Sequence, residues 1–237
     1  MKINKKINNS FIINEQWFEV TEFNYFWGFN LTRSYYNNEK VIYSIKEEKR
    51  TLLTDLNVEN KDDFLSSFRK NLRYDIRKFE SSNINFFIKE ISKDTFIEHY
   101  NEFASTKKLS RISNKKYDDK NYIYLGLYIE NCLIVSHCFI HNNKIVRLLH
   151  SALHNTNEDE ISNITCQSSN KYMHFYELNY FKELGFNTYD WGGVSLGDVN
   201  REGIDKFKIG FGGKDVKYYD HYSIPYAILL KLKRFIK

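Results

Sequence analysis

Three strand-like runs joined by steps of only two residues constrain this chain more than any other feature. NYIYLGLYI (121–129), CLIVSHCFIH (132–141) and KIVRLLHSALH (144–154) are rich in aromatic and branched residues, and Glu130-Asn131 and Asn142-Asn143 separate them. Asn tolerates the left-handed backbone that tight hairpins require, so the spacing predicts an antiparallel meander.

The segments around the meander follow a definite order. From Asp62 to Glu80, Leu65, Phe68, Leu72, Ile76 and Phe79 recur at spacings of three and four, which predicts a single helix with Arg69, Arg73 and Arg77 in a stripe beside the apolar one. A strand, INFFIKE, and a helix through TFIEHYNEFAS follow, the helix burying Phe96, Ile97, Tyr100, Phe103 and Ala104 with Ser92 or Asp94 as its N-cap. After the meander come a helix from about Ser168 to Leu184 stopped by Gly185, a buried strand NTYDW, a short helix from Gly203 to Ile209 and a last strand DVKYYDHY. Upstream, EFNYFWGFNL, KVIYSIK and TLLTDL predict a leading antiparallel sheet. The expected fold class is α+β, a mixed central sheet flanked by helices with a leading antiparallel β segment. No linker composition divides the chain, so one domain over 1–237 is expected, with 1–83 a truncated leading subdomain and 84–222 the core unit.

Composition excludes several functions. With 35 Lys and Arg against 30 acidic residues, the net charge of +5 is mild rather than a nucleic-acid signature; no DNA partner is expected, and small anionic substrates or lipid headgroups suit the charge as well as RNA does. The cysteines at 132, 138 and 166 have neither zinc-ligand nor disulfide-framework spacing, and no metal site is expected. The start MKINKKINNSFIINEQW lacks the apolar core of a signal peptide, and no run reaches the roughly 20 apolar residues of a membrane span. A cytoplasmic location is expected. The C-terminal IPYAILLKLKRFIK has the composition of a basic amphipathic helix, which fits the inner membrane face or packing on the chain's own sheet equally well.

Two segments carry a family resemblance. TLLTDLNVENKDDFLSSFRKNLRYDIRKFESSNINFFI is similar to the Fem-type region in which a "DL" precedes a helix bearing Arg-x-x-Ile-Arg-Lys and then a strand, and LGFNTYDWGGV followed by GIDKFKIGFGGK resembles the late strand, "DxGG" turn and "FKxGFGG" segment of that family. Over roughly residues 50–222 the chain thus resembles the Fem-type peptidoglycan-bridge aminoacyltransferases of the GNAT-like superfamily, whose core order matches the order of elements above. Fem enzymes carry two such units in tandem; this chain has room for one complete unit and a truncated first. The resemblance implies an acyl- or aminoacyl-transferase acting on an amine or hydroxyl of a cell-envelope glycan or of a nucleotide- or lipid-linked sugar precursor. It implies no permanently bound cofactor, but an activated acyl donor: aminoacyl-tRNA, acyl carrier protein or acyl-CoA. GNAT enzymes hold the CoA pyrophosphate on a Gly-rich turn at a helix N-terminus; here the matching loop NTNEDEISNITCQS has no glycine and carries Glu158, Asp159 and Glu160, which disfavours CoA.

Candidate site residues follow. Lys208 in FKIGFGG is expected to stabilise the oxyanion formed when an amine attacks the acyl carbonyl, with Lys206 beside it as a substrate contact. Asp190, Trp191, Gly192 and Gly193 end a central strand, and Asp190 is a candidate base; the alternative is that it only holds the turn. Arg73 and Arg77 offer forked donors to acceptor phosphates, although a solvated helix face explains the same stripe. His137 and His150, on successive strands with Ser151 next door, are candidates for approaching one another, His150 as a base and His137 as a substrate contact. Proton removal by Asp190, by a histidine or by the substrate itself stays open. Three other readings compete: an inactive GNAT-like module that binds a glycan or partner protein, an acetyl-CoA-dependent sugar N-acetyltransferase, and binding of RNA in its own right, which would be strongly salt-dependent and against which the mild net charge argues.

Overall fold

The computed structural model describes residues 2–7, 11–18, 28–35, 44–113, 119–142, 144–154, 163–195 and 202–235. They form two compact units. The first comprises Met1–Thr51, Gly193–Gly197 and Asp215–Lys237, and the second Leu52–Gly192 and Asp198–Lys214. Residues 52–83 fall in the second unit and residues 215–222 in the first.

In the first unit, strands β1 (Lys2–Ile7), β2 (Phe11–Phe18), β3 (Phe29–Ser34), β10 (Lys214–Ser223) and β4 (Ser44–Asp55) are ordered β1-β2-β3-β10-β4. The leading segment is not purely antiparallel as expected. β1 pairs with β2 and β10 with β3 antiparallel, but β2 and β3 run parallel, from Ile13↔Phe29 to Phe18↔Ser34. Ten residues separate Phe18 from Phe29, so no tight hairpin turn forces the antiparallel sense. KVIYSIK and TLLTDL meet in the one long strand β4 over their described residues, while EFNYFW lies outside the described residues. Helix α6 (Ile224–Phe235) sets Tyr226, Leu229 and Leu230 against Ile13, Phe29 and Leu31, so the C-terminal segment packs on its own sheet, with Ile228 and Leu232 on its exposed side.

The second unit takes strands in the order β4-β9-β8-β7-β6-β5, with β5 at Phe86–Glu90, β6 at Tyr122–Ile129, β7 at Cys132–His141, β8 at Ile145–Leu153 and β9 at Thr188–Val194. The meander is present as the sequence predicts. Glu130 and Asn131 both have positive φ (49° and 71°), the signature of a two-residue turn between β6 and β7. At the next turn the Asn142 side chain accepts from the backbone N–H of Lys144 (2.9 Å) and Ile145 (2.7 Å). One face of this sheet carries α3 (Lys93–Thr106), capped by Ser92 through Thr95 N–H at 3.1 Å; α4 (Asn163–Glu183) contacts the same strands β7 and β8.

The predicted single helix over 62–80 is two, α1 (Lys61–Ser67) and α2 (Lys70–Glu80). Phe68 is extended (φ −78°, ψ 149°) and buried, and its ring meets Phe211 edge-on at 5.1 Å. The Arg69 N–H donates to the Gly210 carbonyl at 2.8 Å, so the break docks the chain on the Gly-Phe-Gly-Gly segment. Gly212 there has φ +77°, and a Cβ on it would come within 3.0 Å of the Ser67 carbonyl oxygen, which only glycine avoids. Helical periodicity cannot reveal such a break, because it keeps the apolar residues on one side.

Candidate functional site

Strands β8 and β9 run parallel for three pairs, Ile145↔Thr188, Val146↔Tyr189 and Arg147↔Asp190. Just past the last pair, Gly192 has φ +76°, and a Cβ on it would lie 2.8 Å from the Leu148 carbonyl oxygen and 3.5 Å from Lys208 Nζ. Any other residue is excluded by both measures. The half-buried Lys208, on α5 (Glu202–Ile209), therefore brings its ammonium to the backbone where β8 and β9 part.

Asp190 fixes that corner. Buried completely, it accepts from Arg147 Nη1 at 2.6 Å through one oxygen and from the Gly192 N–H at 2.8 Å through the other. Trp191 is also fully buried, with its indole N–H donating to Thr54 Oγ1 at 2.9 Å and its ring against Phe211 at 4.5 Å. It is a packing residue with no surface to offer a substrate. Lys206 points elsewhere, exposed and paired with Glu202 at 2.6 Å. Gly193, exposed, belongs to the first unit, where an added Cβ would lie 3.5 Å from the Tyr218 hydroxyl.

Behind Trp191 lies a polar cluster. His137 on β7 and His174 on α4 stack at 4.5 Å between ring centroids, and each turns Nδ1 to a different oxygen of the buried Glu177, His174 at 3.1 Å and His137 closer still. Tyr189 donates its hydroxyl to the same carboxylate at 2.9 Å. On its far side His137 Nε2 meets Ser151 Oγ at 2.8 Å and Asn170 Oδ1 at 3.0 Å. Burial pushes the Glu177 carboxyl up, but the two imidazoles outweigh it and hold it below the ordinary carboxylate range. Burial pushes His174 down to about 4, Glu177 opposing and Lys208 adding to the fall. The ligand atoms of His137, His174 and Glu177 lie within 4.8 Å of one another, a grouping that could hold a metal ion. Both Nδ1 atoms face carboxylate oxygens, and since a carboxylate accepts, each of these hydrogen bonds requires an N–H at Nδ1.

His150 does not join His137. Side chains alternate along a strand, and β7–β8 pair His137 with Ser151 but Cys138 with His150, so His150 faces α3, edge-on to Tyr100 at 5.1 Å. It is separated from the His137 cluster by the sheet itself. Arg73 and Arg77 lie with Lys70, Tyr74, Lys78 and Ser81 along a solvent-open groove on α2. Part of Arg73 is already used: its Nη1 donates to the carbonyls of Phe68 (2.9 Å) and Ser66 (3.1 Å), closing the end of α1. Glu158, Asp159 and Glu160 lie outside the described residues.

His174, Glu177, Tyr189, Asn170 and Ser151 were not among the sequence candidates. A signal existed: His174 and Glu177 share the helical stripe of Leu178 and Phe181, at spacings of three and four, so they occupy core positions of α4.

No protein-family model matches the chain, and no curated protein matches it in sequence. Solved structures do match in fold. The chain superposes on FemX with a TM-score of 0.58 at 14% identity, over 77% of this chain and 63% of that one. It thus spans less than two thirds of the length of FemX. The C-terminal domain of a putative lysylphosphatidylglycerol synthetase from Agrobacterium fabrum gives 0.60 at 12% identity, over 97% and 83%. L-PGS from Bacillus licheniformis gives 0.57 at 13%, over 87% and 72%. The fold expected from the two sequence segments is the fold observed: this chain shares the fold of FemX and of the lysylphosphatidylglycerol synthetase domains.

Proposed function

We propose that the chain is an acyl- or aminoacyl-transferase that delivers its acyl group to an amine or hydroxyl of a cell-envelope glycan or of a nucleotide- or lipid-linked sugar precursor. The observation that carries this reading is the Lys208 ammonium held against Gly192 where β8 and β9 separate. As the acceptor nitrogen attacks, the new C–N bond turns the carbonyl oxygen into an oxyanion, and a fixed cation stabilises charge that exists only from that moment. Collapse expels the donor's alkoxide or thiolate, which takes up the proton lost by the amine. Asp190 has a positioning role: its bonds to Arg147 and the Gly192 N–H hold the strand corner, and its paired carboxylate is not available as a base.

The activated donor is aminoacyl-tRNA, an acyl carrier protein or an acyl-CoA. The α2 groove supplies the cations for acceptor phosphates, through Arg77 and the part of Arg73 not committed to the α1 carbonyls. The fold likeness to FemX and to the lysylphosphatidylglycerol synthetase domain supports an envelope acceptor. We place the reaction on the cytoplasmic side of the membrane; among the described residues no helix is long and apolar enough to cross it.

The test is a screen of the three donor classes against glycan and lipid-linked acceptors, read by product mass, with Lys208→Ala alongside. Turnover should fall about tenfold to a thousandfold in the variant, the range for losing one oxyanion donor, at an unchanged melting temperature. Equal turnover would remove Lys208 from the mechanism. Acceptor binding without any product would leave an inactive binding module.

A further inference from the structure

Nothing in the transferase reading uses the connected chain Ser151–His137–Glu177. Ser151 Oγ lies 2.8 Å from His137 Nε2, and the opposite ring nitrogen, Nδ1, is bonded to Glu177 Oε1. This is the order of contacts by which a hydroxyl is made a nucleophile: a base in reach of the hydroxyl and a carboxylate that fixes the base's tautomer. The three residues come from β8, β7 and α4, so the constellation rests on regular elements rather than loops. Exposure follows the same division of labour. His137 and Glu177 are completely buried, whereas Ser151 is half-buried and stands at the solvent end of the chain of contacts.

We propose that Ser151, His137 and Glu177 form a nucleophile–base–carboxylate triad that takes an acyl group from an activated ester or thioester onto Ser151 Oγ. It deepens the transferase reading, on which it rests, by replacing direct attack of the acceptor on the donor with two successive transfers, of which Ser151 is the first acceptor. In the first half-reaction the Oγ–C bond forms, the donor's C–O or C–S bond breaks, and the Ser151 proton passes to His137 Nε2 and on to the leaving alkoxide or thiolate. In the second, the acceptor amine forms the C–N bond, the Oγ–C bond breaks, and the amine proton passes through His137 back to Ser151 Oγ.

The surroundings favour the protonated state. With Nδ1–H given to Glu177, the neutral imidazole turns its Nε2 lone pair to the Ser151 hydroxyl but also to Asn170 Oδ1, which can only accept. Once the proton has moved, Asn170 Oδ1, 3.0 Å from Nε2, accepts the new N–H. Tyr189 and His174 donate to the other carboxylate oxygen, so Glu177 cannot turn away from His137.

A fluorophosphonate tests this without any donor or acceptor, because it phosphorylates activated serines by loss of fluoride. The outcome is therefore independent of whether the transferase reading stands, which the donor screen decides. Intact folded protein should gain one organophosphoryl group, mapped to Ser151 by peptide mass, and Ser151→Ala should gain none. His137→Gln should label about a hundredfold more slowly or worse, the lower range for losing a general base. Should that variant fail to fold, Ser151→Cys replaces it: a thiol paired with His137 should be alkylated by iodoacetamide at a rate already near its plateau below pH 7. An unlabelled wild type, equal labelling in Ser151→Ala, alkylation that rises only near the ordinary thiol range, or a native mass carrying a zinc ion held by His137, His174 and Glu177 would each overturn the proposal.

Discussion

Ser136 and His137 are neighbours in β7, and His150 and Ser151 are neighbours in β8, yet each pair divides between two faces with different chemistry. Toward α4, His137 and Ser151 enter a connected set in which Glu177 accepts from His137, His174 and Tyr189. Toward α3, Ser136 bonds His99 Nδ1 at 2.7 Å, His150 packs on Tyr100, and His99 Nε2 is buried with no hydrogen-bond partner among the described residues. A buried polar group without a partner costs free energy, and a fully satisfied network polarises and rigidifies its members. The α3 face is thus a core that tolerates polar atoms, while the α4 face is organised around one carboxylate.

The sharpest way to break the contrast is Glu177→Gln. The replacement keeps the shape but removes the charge on which two imidazoles and a phenol converge. Breaking a buried charge-assisted network costs on the order of 3–5 kcal/mol, which urea unfolding would report. A loss under about 1 kcal/mol, the worth of a single ordinary hydrogen bond, would mean that the cluster is no more integrated than the other face.

Acid sensitivity should be shared by the two faces. Burial pushes both His99 and His174 down to about 4, from about 6.5 in the unfolded chain. The folded imidazoles stay neutral where the unfolded ones bind protons, so stability is lost as pH falls from about 6.5 toward 4, by up to roughly 3 kcal/mol for each. His99→Leu should flatten the stability-against-pH curve in that window by about half, while the His174 contribution persists. An unchanged slope would show that His99 titrates normally. Below that window the depressed Glu177 carboxyl acts in the same sense, since protonating it removes its stabilising pairs.

A smaller effect separates members within the α4 face. Tyr189→Phe deletes one donor to Glu177 and nothing else, for a loss of about 1.5–3 kcal/mol, the range of hydrogen bonds to charged groups. The same deletion on the other face, Ser136→Ala, should cost only about 1 kcal/mol because its partner is a neutral imidazole. Equal losses in thermal or urea melts would erase the distinction between the faces.

The legibility of these features in the sequence follows the range of the forces behind them. The meander was readable because its turns are local: Glu130 and Asn131 adopt the left-handed backbone that a two-residue hairpin demands, and Gly185 (φ +83°) ends α4 as a glycine after a helix does. Lys208 and Gly192 were readable through the motifs around them, since a glycine under the Leu148 carbonyl leaves a fixed sequence mark. The break at Phe68 was not, because its cause is the Gly210 carbonyl 141 residues away from Arg69. Strands β1 and β2 were missed because Lys, Asn and Glu interrupt their apolar alternation. The Glu177 cluster was missed for a related reason: His174 and Glu177 look polar in a list of residues and reveal themselves only by their place on the Leu178–Phe181 stripe.

The smallest predicted effect concerns the residue that sequence reasoning ranked highest among the histidines. Adjacency favours His150 as a partner for His137, since the two stand on paired strands, but strand pairing sets Cys138 opposite His150 and leaves Ser151 opposite His137. A one-residue difference in register exchanges the faces. His150→Ala should therefore remove the edge-on contact with Tyr100, worth about 0.5–1.5 kcal/mol of stability. Turnover and fluorophosphonate labelling should stay within about twofold of wild type, a change of roughly 0.4 kcal/mol in barrier. If instead His150→Ala lowered either rate by the hundredfold expected of a lost base, at unchanged stability, proton transfer would have to run on the α3 face. The division of the two strands into a packing face and a chemical face would then be reversed.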